Sequence, residues 1–344
     1  MTTIGNVCAF TNGKAHEQNV VEYGEYIIVN SKFISSDGVV KKYSNKQICP
    51  LFKNDIVMVM SDVPNGKAMS KCFCIDKDNK YTLNQRICAL RTKQIPLYYM
   101  MQINRNDYFM KFDDGVKQTN LRKDDVLACP VYSTTIKEQT KIADFLSLID
   151  QRIEKQRRLV ESLKKYKRGA LSRIFNDVLE TVKLSDISNF ISSTRTLSTT
   201  LNSNKGIYPV YDAAGISGYI DHYDIDSDYI TIVKDGSGVG RLQKCDKKSS
   251  FIGTLGALVA KNCTTDFLYA VLQTIDFSKF VTGMAIPHIY YKDYKNTLLP
   301  FPCEIKQHSI SKFFKKIDEY IENETQKLSN ILKYKQGLLQ QMFI

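Results

Sequence analysis

FLSLIDQRIEKQ, residues 145–156, and FFKKIDEYIENE, residues 313–324, carry Phe, Ile-Asp, Ile and Glu at the same spacings. Sliding the sequence on itself by 168 residues extends the match without a gap, Glu138 to Phe175 against Lys306 to Phe343, with 13 of the 38 pairs identical. Helical periodicity alone would repeat apolar residues. It would not also repeat Lys-Tyr-Lys-x-Gly (165–169 and 333–337) or the Phe that closes each copy, Phe175 and Phe343. The segment is a tandem duplication. Both copies show the four-three spacing of a coiled-coil seam, at 142, 146, 149, 153, 156, 160, 163, 167, 170 and 174 and again 168 residues later. Ile149, Ile153, Ile317 and Ile321 supply apolar seam positions, while Gln156/Glu324 and Lys167/Lys335 interrupt both seams at the same two places. Polar seam residues set register and partner choice at some cost in stability. Thr135-x-x-Glu138 has the form of a capping box for the first helix, and Pro130 and Pro302 precede the two helices.

The flanking segments read differently. YGEYIIVN (23–30), DIVMVM (55–60), KCFCID (71–76), SDYITIV (227–233) and FIGTLGALVA (251–260) are short β-rich runs separated by Gly, Asn and Asp turns. Faint matches link the two halves: Ile4-Gly5-Asn6-Val7 with Leu184-Ser185-Asp186-Ile187, Asp55 with Asp228, and Gly115 with Gly283. The expected class is α+β: mixed α/β domains at 1–133 and 177–303, and long helices at 134–176 and 304–344. Thirty-eight helical residues span about 57 Å. Two such helices mate over their full seams only if they run antiparallel, which would place the domains at opposite ends of a pseudo-two-fold pair.

A chain of 344 residues can bury two cores. Its formal net charge of +12 favours a polyanionic partner. The nine cysteines are odd in number and scattered, without C-x-x-C or zinc-ligand spacing to the four histidines, so reduced thiols and no metal are expected. Cys72 and Cys74 share one face of a strand and read as core. No leader-like start and no run of about 18 apolar residues is present, which points to a cytoplasmic protein with no membrane association.

Two variable domains, each followed by a helix with Gln-x-x-Ile at 139–142 and 307–310, Ile-Asp-x-x-Ile at 149–153 and 317–321, and Lys-x-Gly at 167–169 and 335–337, resemble the specificity subunit of type I DNA restriction-modification systems. The resemblance covers essentially the whole chain. It implies that each domain is a target-recognition domain reading half of a bipartite double-stranded DNA site. It further implies that the helices act as a spacer and as the docking surface for methyltransferase subunits, two in number, with a restriction subunit as a further partner. S-adenosylmethionine would be bound by the methyltransferase, and this chain would need no cofactor. Lys306 stands where the pattern has Glu, and the first domain starts almost at Met1.

Candidate DNA contacts follow from residue type. Lys234-Asp-Gly-Ser-Gly-Val-Gly240-Arg241 lacks the Gly-Lys-Ser/Thr ending of a phosphate loop and reads as a turn. Arg241 and Lys244 are its cationic candidates, and Lys67 and Lys71 are their counterparts after DIVMVM. Lys117, Gln118, Asn120 and Arg122 offer amides that read adenine and cations that hold phosphate. Thr282 and His288 occupy the corresponding stretch. Gly169 and Gly337 interrupt helical runs, where each costs about 1 kcal/mol relative to Ala. Two readings stand for them: close approach across the paired helices, or close approach of a partner subunit. Lys164-Lys165-Tyr166-Lys167-Arg168 is either a solvated face or a stripe facing DNA or a partner. The Asn/Asp-Pro-Pro-Tyr/Phe loop of adenine methyltransferases is absent, so no catalytic residue is assigned. The competing class is a coiled-coil adaptor whose variable domains bind proteins.

Overall fold

The computed structural model describes residues 1–62, 68–103, 107–112, 118–196, 206–236, 238–283 and 286–342. Lys67, Lys117 and Phe343 lie outside them. The chain divides into two compact units, Met1–Lys155 with Leu328–Ile344, and Gln156–Lys327. The division falls inside both long helices. Each unit therefore contains the beginning of one helix and the end of the other.

In the first unit, β1 (Cys8–Asn12), β2 (Tyr26–Val29), β3 (Tyr43–Ser44), β4 (Ile56–Val59), β5 (Cys72–Cys74), β6 (Tyr81–Leu83) and β7 (Ile87–Thr92) form two sheets. One is antiparallel with order β1-β7-β4-β5; the other has order β3-β2-β6, with β2 and β6 parallel. In the second unit, β8 (Ser188–Ser192), β9 (Tyr208–Asp212), β10 (Gly215–Ile220), β11 (Tyr229–Val233), β12 (Leu242–Cys245), β13 (Ser250–Phe251) and β14 (Leu255–Ala260) repeat this plan as β8-β14-β11-β12 and β10-β9-β13. The register repeats as well: Ile56 faces Leu90 as Ile230 faces Leu258.

The central strands are apolar on both faces because both faces are covered. In β4, Ile56 and Met58 pack toward α1 (Pro96–Ile103), against Tyr98, Tyr99 and Met101, whereas Val57 and Val59 pack on Val29 and Leu83 of the second sheet. Strand β11 does the same, Ile230 and Ile232 meeting Phe267 and Val271 of α3 (Thr265–Leu272) and Tyr229 and Val233 meeting Val210 and Phe251. A continuous apolar run is how a strand buried on two sides must read. Cys72 is buried and Cys74 half-buried. Burial raises both thiols, Cys74 to about 11, and all nine cysteines are free.

The first long helix, α2, spans Ile136–Asn176 and the second, α4, Glu304–Met342. All twenty seam positions read from the spacing are buried or half-buried. Within the first unit, Lys335 of α4 donates to Asp150 of α2 at 2.5 Å. Within the second, Lys167 pairs with Asp318 at 2.5 Å, Gln156 Nε2 donates to the Glu324 carboxylate at 2.6 Å, and Phe175 stacks on Phe314. As numbers rise along α2 they fall along α4, so the helices are antiparallel in each unit. Phe175 is 3% exposed; truncating a phenylalanine so buried costs about 3–5 kcal/mol, which accounts for a phenylalanine closing this repeat.

The capping box forms by half. Thr135 Oγ1 accepts from the Glu138 N–H at 3.3 Å, but the Glu138 carboxylate takes the Thr134 hydroxyl instead of returning to the cap. The repeated glutamines complete the entry to each helix: Gln139 and Gln307 are buried, and each donates its side-chain amide to the carbonyl five residues earlier, Thr134 and Pro302, at 2.8 Å.

Candidate nucleic-acid interface

In the first unit the chain leaves β4 at Met60 and turns aside, so that Ser61–Asp62 pairs antiparallel with Thr119–Asn120. The Leu121 N–H donates to Met60 O at 2.8 Å and Gln118 Nε2 to Ser61 Oγ at 2.6 Å. On the other side, Asp62 Oδ2 accepts from the Ala68 and Met69 N–H groups, and Val59 and Lys71 are joined through the backbone. Lys71, Gln118 and Asn120 therefore flank one short segment, 59–62, and all three are exposed. Arg122, also exposed, follows at the cap of the helix Lys123–Leu127, its N–H donating to Asp125 Oδ2 at 2.7 Å.

The second unit brings the corresponding stretches together with different residues. Gly236 N–H donates to Pro287 O, Ile289 N–H to Lys234 O, and Thr282 and His288 exchange backbone hydrogen bonds at 2.8 Å. Thr282 is exposed and His288 half-buried against Tyr290. Gly236 and Gly240 take positive φ, 93° and 85°, which the tight turn between β11 and β12 requires. The amides of Gly236, Val239, Gly240 and Arg241 are donated to Pro287, Gly236, Val233 and Gly238 carbonyls. Among the described residues this is a hairpin turn and not a cradle of amides open to phosphate.

Two cations from the sequence reading lie apart from this set. Arg241 is exposed, but its guanidinium reaches back to Ala213 O at 2.6 Å. Lys244 pairs with Asp266 at 2.6 Å and sits over the Tyr269 ring at 4.8 Å, beside the Lys167 ammonium on the same ring. Its neighbours are helical, because alternate residues of β12 face the helix layer. Burial, and secondarily Asp318, pushes the Tyr269 hydroxyl up to about 12.

Two clusters were not legible from sequence. Arg91 holds the buried Asp55 through two hydrogen bonds, 2.6 and 2.7 Å, and lies over Phe52. In the second unit, Arg195 Nη2 meets His222 Nε2 at 3.1 Å and Asp224 at 3.2 Å, while its buried Nε has no partner. Separations of 36, 27 and 29 residues follow no local period. Among the described residues no group of three or more His, Cys, Asp or Glu side chains is placed to hold a metal ion, and no helix is long and apolar enough to cross a membrane.

The sequence matches the profile of the type I restriction modification DNA specificity domain twice, over residues 1–164 and 176–333. The chain belongs to that specificity family. Its fold is similar to the S subunit of a type I restriction-modification system from M. genitalium, with a TM-score of 0.67 at 18% identity over 99% of this chain and 95% of that one. It is also similar to a chain from a structure describing complex assembly and conformational transition of the type I R-M system, with a TM-score of 0.55 at 14% identity, covering 98% and 96%. No curated protein matches the chain significantly. As a specificity-family member it carries two copies of one domain plan, and the exposed residues flanking the central strand of each copy differ.

Proposed function

We propose that the chain is the non-catalytic DNA-reading subunit of a type I complex. Each unit reads one half of a bipartite double-stranded site. The long helices set the separation of the half-sites and dock adenine-N6 methyltransferase subunits, which bring S-adenosylmethionine and the chemistry; a restriction subunit joins when DNA is cut. The complex would act in the cytoplasm.

One observation carries this reading: the same position on two like frames displays unlike polar groups, Lys71, Gln118, Asn120 and Arg122 in one unit and Thr282 and His288 in the other. Amide side chains distinguish adenine in the major groove, and cations hold phosphates without reading sequence. A net charge of +12 supplies the sequence-independent part of the attraction.

The test is methylome sequencing of cells expressing this chain with a methyltransferase subunit, beside a chimera in which residues 1–133 come from another recognition domain. One half-site should change and the other persist. Alteration of both, or of neither, would overturn the modular reading. The purified chain alone should transfer no methyl group to DNA; robust transfer would reject the non-catalytic role.

A further inference from the structure

Gly169 and Gly337 hold the same place in the two repeats, inside helices of 41 and 39 residues. Glycine weakens a helix interior relative to alanine, so its recurrence calls for a close neighbour. This chain provides none: a Cβ built on either glycine would meet nothing within 4 Å. Of the two readings open from sequence, close approach across the paired helices is thereby removed.

The space over Gly169 is a groove of about 670 Å³. Gly169 and Ala170 form its floor, Tyr166 and Phe313 its walls, and Lys165 and Arg173 its edges, with no acidic residue lining it. Tyr166 is 59% and Phe313 36% exposed, unusually open for aromatic side chains. A phosphate backbone would gain nothing from walls that are mostly apolar. An amphipathic helix with one apolar side chain and flanking carboxylates would fill the floor, cover the rings and neutralise the edges.

The repeat supplies the same elements elsewhere with a different charge. Phe145 and Tyr334 are 44% and 60% exposed beside Gly337 in the repeat pattern. However, Gln336 and Gln341 stand where the first copy has Arg168 and Arg173. Residues 157–173 carry seven basic side chains and one acidic; residues 325–341 carry three basic and none acidic.

We infer that the two glycines are seats for an apolar-centred, acid-edged helix from each of two methyltransferase subunits, and that the seats are unequal. The seat at Gly169 binds more tightly at low salt and is the more salt-sensitive. The inference rests on the reading that the long helices dock methyltransferase subunits.

The test titrates the full-length chain with the methyltransferase subunit, following stoichiometry by native mass spectrometry and affinity by sedimentation at ~50 and ~500 mM salt. Two binding events should differ by about tenfold in Kd at low salt and converge at high salt. Arg168→Gln with Arg173→Gln should close the gap, and Gln336→Arg with Gln341→Arg should tighten the weaker event. Gly169→Leu should fill the seat and weaken one event by at least about tenfold, while the free chain melts no lower, since leucine is the better helix former. A lower melting temperature for Gly169→Leu with both events intact would make the glycine structural and overturn the inference. Two events of equal affinity and equal salt dependence would overturn it while leaving docking in place. No binding by the unsubstituted chain would sink the docking reading with it. Loss of DNA affinity in the Arg168→Gln, Arg173→Gln chain, with methyltransferase binding unchanged, would assign the stretch to DNA instead.

Discussion

Lys167 with Asp318 and Lys335 with Asp150 are one contact made twice, since each residue of one pair lies 168 positions from its counterpart in the other. Both are 2.5 Å long, yet their settings differ. The Lys167 side chain is 11% exposed and lies near the Tyr269 ring, and one oxygen of Asp318 is buried without a partner. Asp150 in the other pair is 44% exposed. Duplication reproduced the geometry of the bond but not the solvent around it, and solvent decides what an ion pair is worth. Removing one partner of a buried pair strands a charge and costs about 3–5 kcal/mol. An exposed pair contributes about 0–1 kcal/mol.

The largest expected effect is therefore Lys167→Ala, destabilising the second unit by about 3 kcal/mol, the low end because Asp318 keeps some solvent. Hydrogen exchange of the helix amides around residue 167 reads it locally, as the two units need not open together. Lys167→Met with Asp318→Leu should recover most of that loss, because two well-packed apolar side chains replace the pair at little cost. Failure to recover would mean that Lys167 acts through more than Asp318. Lys335→Ala should cost less than about 1 kcal/mol around residue 335 and less still in high salt. Equal losses at 167 and 335 would break the comparison. The smallest expected effect is at Glu324, whose carboxyl is held below its ordinary range by hydrogen bonds from Lys327 and then from Gln156. A lowered folded pKa stabilises the ionised form. Its contribution is complete above the unfolded value of about 4.5 and is lost as pH falls through the lowered one. Gln156→Leu should shrink that acid-side loss of exchange protection; an unchanged profile would assign the lowering to Lys327 alone.

How much was legible in the sequence depended on distance along the chain. The long helices and their seams were readable because period and repeat are local patterns, and all twenty seam positions are at least half-buried. The two pairs of loop stretches could be proposed as partners because each follows or precedes a recognisable strand. Side-chain destinations were not readable. That Arg241 turns back to Ala213, that Lys244 joins the helix layer through Asp266, and that Arg195 meets residues 27 and 29 positions away all depend on folding that brings distant segments together. The open space over both glycines was equally hidden, since a sequence carries no record of what is missing from around a residue.

The hydrogen bond from Gln156 to Glu324 joins a residue to its own repeat counterpart. In a symmetric dimer built from a single repeat, that position would face an identical copy of itself across the dyad. A repeat bearing glutamate there would set two carboxylates against each other, and a repeat bearing glutamine would set amide against amide. Fusing two repeats into one chain lifts that constraint, so the two residues can become donor and acceptor. Severed halves of this chain should accordingly differ in self-association: the half carrying Gln156 should tolerate its own company, and the half carrying Glu324 should prefer the other half.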